Sequence, residues 1–157
     1  MLFSVQPEPA TSSGVKAMFF SALDELSRRY GANADDESVD FAELEPPRGV
    51  FLVARDERGS LVGGVALRAI GDEAARFGEV KRLWVRPDAR RDGVAQLLMA
   101  ELERWSREQG YRQLWLETGG AQPEAIALYE RLSYTHVEAF PQGVDHYPEG
   151  IKFTKVL

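Results

Sequence analysis

The chain has 157 residues, 44% of them hydrophobic, with 19 Lys plus Arg against 25 Asp plus Glu and a formal net charge of -6. This length and apolar content fit one domain over residues 1–157, and the acidic balance speaks against a nucleic-acid binder, which needs surplus cations on one face. With 0 Cys, disulfides, thiolate metal sites and a cysteine acyl-enzyme are excluded; no apolar stretch reaches membrane-span length and the first residues lack a leader pattern, so no membrane association and a cytoplasmic location are expected.

From Val15 to Tyr30, the residues Met18, Phe19, Ala22, Leu23, Leu26 and Tyr30 recur at helical spacing and stop at Gly31, which predicts a first helix. The polar segment Ala32 to Asp40, with Asp35, Asp36 and Glu37, reads as a loop leading into a short helix or turn before Pro46-Pro47. Val50 to Ala54 and Leu61 to Ile70 are β-rich and flank the turn signal Arg55 to Ser60; a third strand is expected from Ala75 to Val85. A helix from Gly93 to Gln109 carries Val94, Leu97, Leu98, Leu102 and Trp105 on one face and is capped by Gly110. Leu114-Trp115-Leu116 reads as a short buried strand, and Pro123 opens a helix to about Arg131. Tyr134 to Ala139 and Ile151 to Val156 alternate as two last strands, joined by a loop holding Pro141, Gly143, Pro148 and Gly150. The expected order is therefore α, βββ, α, β, α, ββ.

The most informative stretch is Arg90-Arg91-Asp92-Gly93-Val94-Ala95, entered from Leu83-Trp84-Val85 through Arg86-Pro87 and running straight into a helix. A strand that turns tightly into a helix leaves the first helical N–H groups aimed at the turn, with the positive end of the helix dipole behind them. Such a cradle suits a diphosphate, and Arg82, Arg86, Arg90 and Arg91 surround it. Gly93 lets the backbone approach the anion without a Cβ and can take a left-handed conformation.

The run Arg-x-x-Gly-x-Ala after Val-x-Pro resembles the acyl-CoA signature of the GNAT superfamily of N-acetyltransferases. Gly78 to Val85 before it and Pro123 to Tyr134 after it resemble that family's central strand and late Leu-Tyr helix, in the same order. The resemblance runs from about Phe51 to Tyr134. It implies the acyl-CoA N-acyltransferase fold: an α/β (α+β) domain with a mixed twisted sheet of about six to seven strands and helices on both faces. In that fold the fourth strand and the strand after the motif helix splay apart, and the pantetheine arm of acetyl-CoA pairs with the central strand like an added strand. Carried onto this chain, Leu83, Trp84 and Val85 offer that backbone, while Arg90, Arg91, Asp92, Gly93, Val94, Ala95 and Gln96 hold the pyrophosphate, largely through main-chain N–H groups.

The resemblance also implies a chemistry. An acceptor amine with a lysine-like pKa of about 10.4 must lose a proton before it attacks. Glu79, four residues before Leu83 and expected on the same strand face, matches the position of the general-base glutamate in histone-type members, and Glu117 competes for that role. Tyr129 matches the tyrosine that serves as general acid near the cofactor sulfur. Without cysteine, direct attack through a tetrahedral intermediate is expected, its oxyanion met by a main-chain N–H near Val85. The expected acceptor is a small-molecule amine; the alternatives are a protein N-terminus or lysine as acceptor, or a binding module that has lost catalysis. Asp35, Asp36 and Glu37 could attract a cationic amine, His146 and Tyr147 could line the far wall, and Trp84 with Trp115 could narrow the acyl pocket. A homodimer is common in the family. His136 and His146 have no metal-ligand spacing, so no metal is expected. Ser133 stands where the late motif usually has glycine; a left-handed non-glycine there costs on the order of 1 kcal/mol.

Overall fold

In strand β2 (Val50–Arg55) nearly every residue is buried, because its two faces meet two different apolar layers. A computed structural model describes residues 2–30 and 40–157. The remaining elements are β1 (Ser4–Pro7), α1 (Ser13–Tyr30), β3 (Leu61–Ile70), β4 (Phe77–Val85), α2 (Val94–Glu108), β5 (Gln113–Thr118), α3 (Pro123–Arg131), β6 (Thr135–Val137) and β7 (Ile151–Val156). Short 3-10 turns lie at Phe41–Leu44, Glu73–Ala75 and Pro87–Ala89, the first meeting the expected turn before Pro46. The strands form one mixed sheet of 7 strands in the order β1-β2-β3-β4-β5-β7-β6, with helices on both faces. Among the described residues no helix is long and apolar enough to cross a membrane.

Val50, Leu52, Val65, Leu67, Val80, Leu114, Leu116 and Phe153 pack with Leu98, Met99 and Leu102 of α2 and Leu128 and Tyr129 of α3. Phe51, Val53 and Ala66 point the other way and meet Val15, Met18 and Phe19 of α1. The absence of a side chain at Gly64 lets α1 come close: a Cβ there would lie 2.5 Å from Met18 Cε of α1 and 2.9 Å from the Phe51 ring of β2. The sequence reading lacked β1 altogether, because Ser-Val-Gln-Pro offers no apolar alternation; it pairs antiparallel with β2 as a polar edge strand, where Pro7 is tolerated.

Two irregularities of β4 shape the molecule's central cleft. Its parallel pairing with β5 covers only Phe77, Gly78 and Glu79, opposite Gln113, Leu114 and Trp115. Beyond Glu79 the two strands separate, as the resemblance implied. The antiparallel register with β3 also shifts between Gly64 and Ala66, where Arg82 takes φ +59°. This bulge reverses the alternation. Val80 packs into the α2-side core, which turns its neighbour Glu79 to the other face, whereas Leu83 packs into the α2-side core and Trp84 into the α1-side core. Glu79 and Leu83 therefore do not share a face, which corrects the expectation drawn from their four-residue spacing.

The turn after α3 has Ser133 in the left-handed conformation that the sequence led one to expect. Its φ is +70°, its N–H donates to Glu130 O at 3.1 Å, and Tyr134 N–H donates to Tyr129 O at 3.0 Å. Ser133→Gly is expected to raise stability by about 1 kcal/mol by removing the left-handed strain, measured as the shift in urea midpoint at unchanged m-value. A midpoint that stays put would show that the unfolded chain's gain in freedom cancels the relief.

Candidate active site

Where β4 ends, the chain makes a 3-10 turn at Pro87–Ala89 and enters α2 through Gly93, whose φ of +82° and ψ of 10° are left-handed. Arg91 also has a positive φ, 72°. Among the described residues beyond its chain neighbours, no atom lies within 4 Å of where a Gly93 Cβ would stand, so the space in front of the α2 N-terminus is open. It leads into a cleft of about 670 Å³ lined by Leu83, Trp84, Val85, Arg90, Arg91, Gly93, Val94, Ala95 and Gln96. Of the residues expected around a phosphate, Arg86 and Asp92 do not line it. Arg86 turns away toward Asp88 and the Leu61 carbonyl.

Arg90 is the most heavily engaged group of the cradle. Its Nε donates to Val85 O at 2.8 Å, and its two terminal nitrogens donate to the two oxygens of Glu25 at 2.7 and 2.6 Å. Trp84 Nε1 donates to the same carboxylate at 2.8 Å, and the guanidinium lies over the Trp84 ring. The hydrogen bonds from Arg90 hold the Glu25 carboxyl below the usual carboxylate range against the opposing effect of burial. Sequence reasoning missed Glu25. Its partners stand 59 and 65 residues away, beyond any local pattern.

A second cavity of about 430 Å³ adjoins the first through Leu26, Arg82, Leu83, Gln122 and Ala125. Glu79, Lys81, Glu117, Tyr129, Tyr147, Glu149 and Gly150 line it. The structure thus brings Tyr129 and both candidate bases to one cavity. Glu79, 4% exposed, accepts from Arg68 Nε at 3.0 Å through Oε1, and its Oε2 lies 3.8 Å from Lys81 Nζ. Glu117 Oε1 accepts the Tyr147 N–H at 3.1 Å, and Oε2 lies 3.3 Å from the buried Lys152 Nζ. Lys152 also donates to the carbonyls of Tyr147 and Gly150, both at 2.9 Å. The Glu117–Lys152 pair therefore clamps the loop before β7 from below, and a Cβ at Gly150 would collide with the Glu117 carboxylate.

Tyr129 is 6% exposed, with its ring 5.9 Å from Tyr134 and 6.0 Å from Phe153. Burial alone pushes its phenol well above the ordinary value of 10.0, which keeps the proton on the oxygen. Tyr134 is pushed up as well, by burial and by Glu103, whose Oε2 accepts its hydroxyl at 3.2 Å.

Other expected residues lie elsewhere. Trp115 packs between Phe77 and Phe140 and lines neither cavity, so it does not narrow an acyl pocket; Trp84 does line the cleft. His146 is exposed against Val144 O, and only Tyr147 of that pair reaches the second cavity. Asp35, Asp36 and Glu37 fall outside the described residues. Among the described residues no group of three or more His, Asp or Glu is placed to hold a metal ion.

The pattern of the Acetyltransferase (GNAT) family matches residues 17–134. The chain belongs to this family. It is 36% identical over 140 residues to an IAA acetyltransferase of Azospirillum brasilense, covering 87% of this chain and 90% of that protein. It is 35% identical over 109 residues to an N-acetyltransferase of Schizosaccharomyces pombe, of whose length it spans 66%. A Klebsiella pneumoniae structure assigned to the acyl-CoA N-acyltransferases superposes with a TM-score of 0.82 at 29% identity, covering 99% of this chain and 98% of that one. The chain is accordingly an N-acetyltransferase of the GNAT fold, whose cosubstrate is an acyl-CoA. The residues present suit such a group on two counts: the unfilled space at Gly93 in front of the helix N-terminus, and β4 backbone that beyond Glu79 has lost its β5 neighbour on one side.

Proposed function

We propose that this GNAT enzyme transfers the acetyl group of acetyl-CoA to the primary amine of a small molecule by direct attack. The thioester supplies an activated acyl group; the chain's own residues bind, orient and move protons. Main-chain N–H groups of the run from Arg90 to Gln96, which leads into α2, hold the pyrophosphate, although the Arg90 N–H itself already donates to Pro87 O at 3.4 Å. The backbone of Leu83, Trp84 and Val85 receives the pantetheine arm, although the Val85 carbonyl is already taken by Arg90. Glu79 takes the proton of the acceptor amine, and Tyr129 keeps its phenolic proton until the leaving thiolate needs one. The observation that carries this reading is the splay itself: pairing stops at Glu79, and the opening joins the cradle at Gly93 to a cavity that holds both Glu79 and Tyr129. A cavity of about 430 Å³ accommodates a small molecule, which favours such an acceptor over a polymer.

Thiol release from acetyl-CoA with a pooled panel of small amines tests the reaction, and the absence of cysteine keeps the protein's own background low. Release that depends on the pool is expected; a sample that binds acetyl-CoA and releases no thiol with any amine would defeat the reading. Glu79→Gln is expected to lower the rate most at low pH, where few amines are already neutral. Glu117→Gln should instead act by loosening the Tyr147 loop, raising the acceptor KM with the shape of the pH profile unchanged. The opposite pattern would transfer the base role to Glu117.

A further inference from the structure

The C-terminal half of α1 touches both walls of the cleft. Glu25 and Arg29, one helical turn apart, share a face and approach to 3.6 Å. Glu25 holds the wall made by β4 and the cradle, through Arg90 and Trp84. Arg29 holds the wall made by β5 and α3: it donates to Ala121 O at 3.1 Å and pairs with Glu124. Between these walls β4 and β5 share no ladder beyond Glu79, so main-chain pairing does not set their separation. The Arg90 Nε bond to Val85 O carries the Glu25 contact onto the β4 backbone itself.

We infer that Glu25 and Arg29 are positioning residues, a brace from α1 that fixes the width of the splay and hence the fit of the pantetheine arm. Arg90 is the far end of this brace and not a side-chain ligand of phosphate. A forked guanidinium–carboxylate pair is geometrically stiff, which makes it suited to holding a gap. Turning Arg90 toward a phosphate would strip Glu25, only 24% exposed, of its main partner. The inference rests on the reading of the cleft as an acyl-CoA site.

Calorimetric titration with acetyl-CoA and with S-acetylpantetheine, which lacks every phosphate, separates the possibilities for the wild type, Glu25→Gln and Arg29→Met. Each variant is expected to bind both donors more weakly by the same factor, about tenfold. A loss confined to acetyl-CoA would overturn the inference by showing that the side chains act on phosphate. Unchanged affinity for both donors would overturn it too. So would a lower binding stoichiometry at unchanged affinity, the sign of a role in folding alone. If the wild type binds neither donor, the reading of the cleft fails first and the inference falls with it.

Discussion

Tyr129→Phe is expected to lower turnover at least about tenfold while leaving acetyl-CoA affinity and stability close to those of the wild type. The ring is wedged between Tyr134 and Phe153 and belongs to the α2-side core, so phenylalanine preserves the packing. Among the described residues the hydroxyl makes no hydrogen bond, so its removal strands no partner. The lost group is then the proposed proton donor, on a residue that lines the second cavity. Burial holds its pKa above 10.0, so the phenol stays protonated and neutral throughout the working range and should impose no alkaline fall in rate below about pH 10. Steady-state kinetics with calorimetric binding checks both halves. Loss of kcat and kcat/KM by the same factor marks an interaction made in the transition state alone. An unchanged kcat would remove the phenol from the chemistry and leave Tyr129 as a core aromatic.

The same stability argument has a sign in pH. Tyr129 and Tyr134 both have folded-state pKa values raised above the unfolded one. Their folded forms therefore hold protons that the unfolded chain releases first, so the stabilisation is complete below about pH 10 and declines as pH rises beyond it. Activity lost at still higher pH would then coincide with unfolding, and near-ultraviolet circular dichroism on the assay samples would tell that loss from a titrating catalytic group.

What the sequence made legible is what depends on neighbours in the chain. The α3 and β7 limits agree end to end with Pro123–Arg131 and Ile151–Val156, because a proline opens one and the alternation from Ile151 to Thr154 marks the other. The left-handed Gly93 before α2 is equally local, a strand, a turn and a helix within a few residues. The bulge at Arg82 was hidden for the opposite reason. Lys-Arg-Leu carries no glycine or other sign of a positive φ, so plain alternation placed Glu79 and Leu83 on one face. The shift is set by how β3 and β4 meet the two cores and can be read only with both strands in place. Arg90 shows the same limit. Its place in the signature was plain, yet the carboxylate that occupies it comes from α1, and once that pair forms the arginine looks less like a phosphate ligand than like part of the wall.

Gly93→Val should therefore weaken acetyl-CoA binding more than any change at Arg90. Two costs arise, and they fall on different observables. A β-branched residue at φ +82° strains the backbone by about 1–2 kcal/mol, which lowers stability whether or not a ligand is present. Its Cβ meets no atom of the described residues within 4 Å beyond its chain neighbours, so sterically it intrudes on what occupies the open space in front of α2. If that occupant is a pyrophosphate, displacing it from one or two charge-assisted N–H bonds costs roughly 1.5–3 kcal/mol each, or about tenfold to a hundredfold in affinity per bond. Gly93→Ala shares the strained φ with a smaller intrusion and should lose less affinity for a similar loss of stability. Arg90→Ala leaves the N–H groups in place and should stay near the tenfold loss expected of the brace. Titrations of the three variants with acetyl-CoA, beside their urea midpoints, decide the matter. A Gly93→Val protein that is destabilised but binds with wild-type affinity would place the phosphates elsewhere, and the assignment of Arg90 to Gln96 as the cradle would have to be abandoned.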